Sequence, residues 1–471
     1  MLSIDGTRRR GVSSVLLTGR PRPLAACARW VPPPIRPAGL ACQGGEAAAR
    51  RLEVGLRGLS SLGLIESGSL SNDDRLVVVH PMIADSNRAH LVHPQADDPE
   101  PGRVRQAAVA LLQRRIRALE VARPADWPRY RLLTPHVQAL MGEAAAGLDQ
   151  EHLVSLVDVA GWLAAAHDWM GVPFTAEELT DAALAVGARL DADHPALLDV
   201  RGLAAHQAGL QGRWGEAEAA YREVLKARQR VQGDDHHSTL ATRHELGRAM
   251  ARQERCGEAE AAYRELLKAK QRVLGDDHPS TLATGNELIR SVANQGRWRE
   301  AEAAFPALLE ARRRVLGADH PETLTTRHEL AIAVANQGRW EEAEAAFREI
   351  LEARRPVLGA DHPDTLTTRH NLASAVANQG RWGEAEAAFR EILEARRRVQ
   401  GDDNPDTLAT RHSLARAMAR QERWGEAEAA FREVLETRRR VLGADHPATL
   451  STSGWIDECV RRQRSNPPGD E

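Results

Sequence analysis

The sequence predicts an all-α repeat solenoid, and three observations predict it. Tryptophan recurs at Trp214, Trp298, Trp340, Trp382 and Trp424, spaced by 42 residues or twice 42, with Cys256 at the skipped position. A D-H or D-N step recurs in the same period at His194, His236, His278, His320, His362, Asn404 and His446. An aromatic ring follows each tryptophan position by seven: Tyr221, Tyr263, Phe305, Phe347, Phe389 and Phe431. A fixed period of this length marks stacked supersecondary units, and six copies run from about His194 to Asp445.

Each unit reads as two helices. Pro363 suits a first helical position, where its missing N–H costs nothing. Leu366, Leu372, Ala373 and Val376 then form one apolar stripe at helical spacing. Gly380 ends that helix, as glycine does just after a C-cap. A second helix starts near Trp382, with Glu384 and Glu386 in the first turn, where the macrodipole favours acids. Ala385, Phe389, Ile392 and Leu393 form its apolar face, and Gly401 closes it. Glu386–Arg390 and Glu394–Arg398 are spaced as i,i+4 pairs on the solvated side. Pro306 and Pro356 fall inside second helices, where proline clashes with the carbonyl four residues back. A kink or an early helix end is expected at both. A single helix pair cannot bury its own apolar face, but stacking against the next pair can. Trp382 and its copies are expected to fill the hairpin bend, mostly buried, and Cys256 to be buried in the same slot.

Read from Leu372 to Phe389, the order L-A-x-x-V-x-x-x-G-x-x-x-x-A-x-x-x-F resembles the tetratricopeptide repeat. The 42-residue length and the opening D-H-P-x-T-L are similar to the longer kinesin-light-chain type. The resemblance implies a right-handed superhelix, with the first helix of each pair on the concave side.

The remaining elements follow in chain order. Residues 1–45 hold seven arginines and a single acid, Asp5, with no period; they are expected to be disordered or to follow a start codon placed too early. Arg20, Pro21, Arg22 and Pro23 break any secretory apolar run. Over residues 46–95, Leu52, Leu56 and Leu59 are spaced for a helix that Gly63 ends, "LGLIESGSLSNDDRLVVVHP" reads as strand, turn and strand, and Met82–Leu91 as a helix. This resembles the winged-helix end of the nucleotide-binding module in NB-ARC signalling ATPases, a small α+β remnant in which His80 would be the residue that touches ADP. Its charges balance, which argues against a DNA footprint. The chain departs from that family in having no G-x-x-x-x-G-K-[ST]; Lys226, Lys268 and Lys270 are its only lysines and none follows a glycine-rich loop. Without an ATPase core His80 has no phosphate site to complete, so no cofactor is expected. The chain looks like the C-terminal part of such a protein, as a gene fragment or as an arm without its motor. Residues 96–150 read as a helical connector, 151–193 as a degenerate hairpin, 194–446 as the six units, 447–464 as a polar capping helix and 465–471 as a disordered tail.

His362 and His370 pose the question of a copied metal site. Eight residues on a helix span about 12 Å, whereas zinc needs each nitrogen within about 2.1 Å, so no metal is expected. His362 reads as a turn residue at the unit junction. Thr367, His370, Ser374 and Ala377 share an arc beside the apolar stripe, which is either a solvated face or, by the resemblance, the groove. The expected peptide-groove residues are His244, Arg248, Asn286, Arg290, Asn294, His328, Asn336, His370, Ser374, Asn378, His412 and Arg416, with Arg252 and Arg420 deeper on the same helices. This ladder is read as rich in donors and poor in acids. The partner expected is therefore a peptide or protein that is acidic or ends in a free carboxylate, held more tightly near pH 6 than pH 8 if the histidines titrate near 6.5.

A net charge of −3 implies no general attraction to nucleic acid or membrane. No run of 18 apolar residues exists, and Cys27, Cys42, Cys256 and Cys459 are scattered, which fits a reducing cytoplasm. No G-x-S-x-G, H-E-x-x-H or isolated carboxylate pair is present, so no catalytic residue is expected. The function expected is a non-catalytic interaction scaffold, or alternatively the sensor arm of a nucleotide-switched signalling protein whose ATPase core lies elsewhere.

Overall fold

The computed structural model describes residues 65–71, 74–79, 101–121 and 123–465. The N-terminal segment 1–45, the helices expected near Leu52–Leu59 and Met82–Leu91, His80, Cys27, Cys42 and the tail after residue 465 lie outside the described residues. The strand–turn–strand stretch is an antiparallel hairpin. Its strands are β1 (Ile65–Ser71) and β2 (Asp74–Val79), with Ile65 opposite Val79 and Ser69 opposite Arg75.

The described residues fall into two compact units, one holding 65–167 and 174–203, the other 168–173 and 204–465. The first contains α1 (Pro101–Arg117), α2 (Trp127–Met141), most of α3 (Gln150–Trp169), α4 (Pro173–Gly187) and the start of α5 (Pro195–Leu210). Ile116, Tyr130, Leu156, Leu163 and Leu179 are fully buried in it. Its one buried polar contact of note joins Thr134 Oγ1 to His167 Nε2 at 2.7 Å, and burial lowers the His167 pKa to about 4.

The second unit is the repeat array. It runs through α6 (Trp214–Gln232), α7 (His237–Arg252), α8 (Cys256–Leu274), α9 (Pro279–Asn294), α10 (Trp298–Leu316), α11 (Pro321–Ala335), α12 (Trp340–Leu358), α13 (Pro363–Asn378), α14 (Trp382–Gln400), α15 (Pro405–Arg420), α16 (Trp424–Leu442) and α17 (Pro447–Ser465). First helices have 15 or 16 residues and second helices 19. From α6 onward each helix packs on the next, and first helices also touch the first helices of neighbouring units.

The D-H step is a helix cap. Nδ1 of His236, His278, His320 and His362 accepts the backbone N–H two residues on, at 3.1–3.3 Å, and Asn404 Oδ1 does the same at 2.9 Å. Asparagine can replace histidine in this slot because both offer an acceptor to an orphan N–H of the first turn. At the other end, Gly380 has φ +85°, and Gly380 N and Arg381 N bond back to Ala377 O and Val376 O. Glu254 and Glu422 hold the same left-handed position at φ 63° and 65°, where a Cβ is strained.

The core repeats as the apolar stripes predict. Phe389, 1% exposed, packs with Ala373, Val376, Ala385, Ile392 and Ala417, the last from the next unit. The tryptophans differ from expectation: Trp214, Trp298, Trp340, Trp382 and Trp424 are half-buried, and so is Cys256. Each ring packs on its unit's apolar cluster, and Trp214, Trp382 and Trp424 also meet an arginine near the end of the helix that follows. Arg252 lies 5.7 Å from the Trp214 centroid, and Arg420 the same distance from Trp382.

Neither proline ends its helix early; α10 and α12 keep the full 19 residues. Their effect is on ion pairs instead. Pro306 stands where Arg264, Arg348, Arg390 and Arg432 reach back to a glutamate four residues earlier. Glu302 lacks that partner and is 26% exposed, against 4–11% for its equivalents. Pro356 replaces the arginine that in other units bridges to the aspartate 37 residues earlier, as Arg398 does to Asp361 at 2.7 Å. The expected Glu394–Arg398 pair is therefore not formed: Arg398 crosses to Asp361, and Glu394 meets Arg397 at 3.3 Å.

Candidate functional site

Two polar networks join successive units, and they determine which side chains remain open to a partner. The first is buried. The last turn of each second helix carries a cation whose terminal nitrogen enters the next first helix. Arg354 Nη1 donates to Asp364 O at 2.9 Å and Thr368 Oγ1 at 2.7 Å, and Arg396 Nη1 to Asp406 O and Thr410 Oγ1 at 2.5 and 2.7 Å. Arg228, Arg312 and Arg438 repeat the arrangement, and Lys270 takes the slot once, bonding Ser280 O and Thr284 Oγ1 at 3.3 and 2.9 Å. Burial lowers the pKa of Arg354 and Arg396, and that of Lys270 to about 8.

Apart from Thr242, each of these threonines also meets the histidine position of the preceding unit. His244 Nδ1 lies 3.2 Å from Thr284 Oγ1; the Asn286–Thr326, His328–Thr368, His370–Thr410 and His412–Thr452 contacts are 3.4 Å. The rings also tilt onto the core aromatics, His370 to Phe389 at 5.2 Å and His412 to Phe431 at 5.0 Å between centroids. The histidine series is therefore not a ligand ladder. His244, Asn286 and His328 are 1%, 6% and 5% exposed, and His370 and His412 are half-buried. Along α13, Ala377 is fully buried, Thr367, His370, Asn371 and Ser374 are half-buried, and Asn378 is exposed.

The second network is centred on a glutamate at the start of each second helix. Glu386, a first-turn residue by sequence, is almost wholly buried; it pairs with Arg390 and accepts from Gln421 Nε2 at 2.6 Å and Arg423 Nη1 at 2.8 Å, both in the next unit. Burial alone would raise its pKa, but these donors hold it below the usual carboxylate range. Glu218, Glu260 and Glu344 repeat the pattern.

What stays open is one row along the first helices. Arg252, Asn294, Asn336, Asn378 and Arg420 are all exposed. Asn336 and Asn378 donate Nδ2 to their own helix, to Ile332 O and Ser374 O, both at 2.9 Å. The adjoining row holds Arg248, Arg290, Ser374 and Arg416, each half-buried. Here the expectation of few acids fails. Arg248 pairs with Glu245 at 2.9 Å, and Arg290 with Glu287 at 2.9 Å and Glu329 at 3.5 Å. Burial raises the pKa of Glu245 and Glu329. These acids sit one residue after the histidine position. Among the described residues no cluster of three or more His, Cys, Asp or Glu could hold a metal, and no helix is long and apolar enough to cross a membrane.

The expected pH dependence of binding is overturned as well. Burial first, then nearby arginines, lowers His328, His370 and His412 to about 3, so they stay neutral from pH 6 to pH 8. Their pH effect falls on stability. Unfolded, they take protons near about 6.5; folded, they do not until about 3. Stability is thus intact above about pH 6.5 and is lost as pH falls through the window toward about 3. The lowered glutamates lose theirs only below their ordinary 4.5. A thermal melt at about pH 7 and about pH 5 reads this loss, which the raised Glu245 and Glu329 oppose. The melting temperature is expected to drop. Substituting His328→Asn, His370→Asn and His412→Asn together flattens the drop, because Asn286 already fills the equivalent place. An unchanged drop in the triple variant rules these three histidines out as its source.

With this geometry in place, the family description "Tetratricopeptide repeat" matches residues 200–272, 280–355, 328–398 and 366–440. Among solved structures, a putative kinesin light chain of Podosopora anserina with nearly identical TPR-like repeats is 27% identical over 44% of this chain and 97% of that one, with a TM-score of 0.37. A Rap protein complexed with Competence and Sporulation Factor is 10% identical over 78% of this chain and 99% of that one, with a TM-score of 0.49. The Pyrococcus horikoshii STAND protein with a tetratricopeptide-repeat sensor is 11% identical over 89% of this chain and 56% of that one, with a TM-score of 0.53, a likeness of fold. No curated protein matches the chain.

Proposed function

We infer, from a repeat array that is a tetratricopeptide-repeat solenoid, that the chain is a non-catalytic scaffold that binds a peptide or partner domain. Such repeats generally serve protein–protein interaction. The observation that carries the reading is the exposed row Arg252, Asn294, Asn336, Asn378 and Arg420, one hydrogen-bonding side chain per unit, presented at a common register by successive first helices. Asparagine amides both donate and accept, which suits an extended backbone, and arginine forks suit carboxylates. The partner proposed is acidic or ends in a free carboxylate. Arg248, Arg290, Ser374 and Arg416 flank the row, while His244, Asn286, His328, His370 and His412 hold it in place from behind.

A peptide array probed with the full chain tests this. Acidic peptides are expected to be retained. Asn294→Ala, Asn336→Ala and Asn378→Ala combined should weaken the best of them by about tenfold, or about 1.4 kcal/mol. Retention of basic peptides, or no effect of the triple variant, moves the site elsewhere. A second reading, the sensor arm of a nucleotide-switched protein, draws only on likeness of fold to the STAND protein. Saturable binding of ADP or ATP to the chain supports that reading.

A further inference from the structure

The second helices repeat one surface from unit to unit, and α10 departs from it. Pro306 stands where Arg222, Arg264, Arg348, Arg390 and Arg432 pair with the glutamate four residues earlier. Arg299 stands where Gly215, Gly257, Gly383 and Gly425 add no side chain. Both residues line one groove of about 700 Å³. Its walls are α10 and α12 and its floor is α11. Leu309 and Ile350 are buried in it, Leu330 and Val334 are half-buried, and Ala303 and Pro306 are exposed. Leu330 and Val334 stand about 200° around α11 from Ile332 and Asn336. The groove therefore opens away from the exposed row of first-helix side chains.

The charges on the rim are uneven. Glu342 and Glu349 are engaged by Arg339 at 2.5 Å and Arg327 at 2.9 Å, and Glu302 by Arg339 and Gln337, both at 2.6 Å. Arg299 and Arg313 are exposed and make no ion pair or hydrogen bond with a side chain among the described residues. In the other units the arginine stem at the proline's position covers apolar surface beside its glutamate; Pro306 leaves that surface open. An apolar floor with an unpaired cation toward each end fits an amphipathic helix laid along it. We propose that this groove docks a helix of a partner protein, with apolar side chains between α10 and α12 and an acidic residue near each end, against Arg299 and Arg313. Those arginines are 14 positions apart, about 21 Å along a helix, so the partner's acids lie about four turns apart. A second copy of this chain does not fit through α10. Antiparallel pairing about Pro306 sets Arg299 of each copy against Arg313 of the other, and like charges face each other. The surface is separate from the row proposed above and does not depend on it.

Fluorescence anisotropy of the full chain with a synthetic helix of about 18 residues, leucine along one face and glutamate near both ends, is the test. Saturable binding is expected. Pro306→Arg restores the side chain of the other units. It should raise the melting temperature, through a new pair with Glu302, and weaken binding by about tenfold. Ala303→Arg, at an exposed helical position, fills the same groove and should weaken binding as much. Arg299→Gly with Arg313→Gln should also cost about tenfold and reduce the salt dependence of binding. The same helix with lysine in place of glutamate should bind about tenfold more weakly. Asn294→Ala, Asn336→Ala and Asn378→Ala combined should leave binding unchanged, because those side chains face the other way. No saturable binding, undiminished binding to both Pro306→Arg and Ala303→Arg, or equal binding of the lysine helix overturns the proposal. A loss in the asparagine variant with none in the groove variants places the helix on the exposed row and overturns it too.

Discussion

Replacing Phe389 by alanine is expected to split one thermal unfolding transition into two. The ring is 1% exposed and links its own unit to Ala417 of the next, with the His370 ring 5.2 Å away. Truncating a buried phenylalanine costs about 3–5 kcal/mol, the spread set by how far the site collapses. In a compact domain that loss is shared by the whole. In a linear array each unit is stabilised only by its neighbours, so the loss falls on the interfaces that α14 makes with α13 and α15. The units before and after should then melt separately. Calorimetry and hydrogen exchange together check this: amides of α13 to α15 should exchange much faster than those of α7 to α9. A single transition shifted by a few degrees, with uniform exchange, contradicts nearest-neighbour stacking.

The second large effect is expected at Arg354. This guanidinium is 2% exposed and reaches Asp364 O, Thr368 Oγ1 and Thr325 Oγ1. Arg354→Ala removes those donors and leaves a void, a combined cost of about 2–4 kcal/mol. Arg354→Met behaves differently. It fills most of the space and removes a buried charge whose desolvation is itself costly, and Thr368 Oγ1 keeps its bond to Asp364 O at 2.9 Å. Methionine should therefore cost less than half of what alanine does. Denaturant titration of the two variants decides between the roles. Equal losses assign the stability to the hydrogen bonds; a loss below about 1 kcal/mol for alanine rules out a structural role.

The repeat was legible because it is written locally. Pro363 opens a helix, Gly380 ends it, and Leu366, Ala373 and Val376 mark its buried face, all within one helix and its cap. The polar side was less legible because its logic spans units. Nothing near His370 in sequence says that Thr410 will cover it, and nothing near Glu386 says that Gln421 and Arg423 will bury it. On a helical wheel His370 and Asn371 are 100° apart, which straddles the boundary between interface and solvent. A reading that follows the histidine position passes over Glu245, Glu287 and Glu329. The i,i+3 pairs Glu245–Arg248 and Glu287–Arg290 were the available signal. The tryptophans were read as core because a large ring at a helix start usually is. At Trp214 and Trp382 an arginine from the next helix lies over the ring, a contact again invisible inside one unit.

The bonds between units also constrain how such a chain can change its length. Partners lie 35, 37 and 40 residues apart, as in Glu386–Gln421, Glu386–Arg423 and His370–Thr410. An insertion or deletion of a few residues within a helix throws all three offsets out of phase at once and strands a buried glutamate and a buried imidazole. Removing or adding one whole 42-residue block restores every offset, because each end of the block presents the same partners as the other. Length is thus quantised. A chain of this kind can gain or lose reach in whole steps while its joints stay chemically identical, and the row of exposed side chains lengthens or shortens by one residue each time.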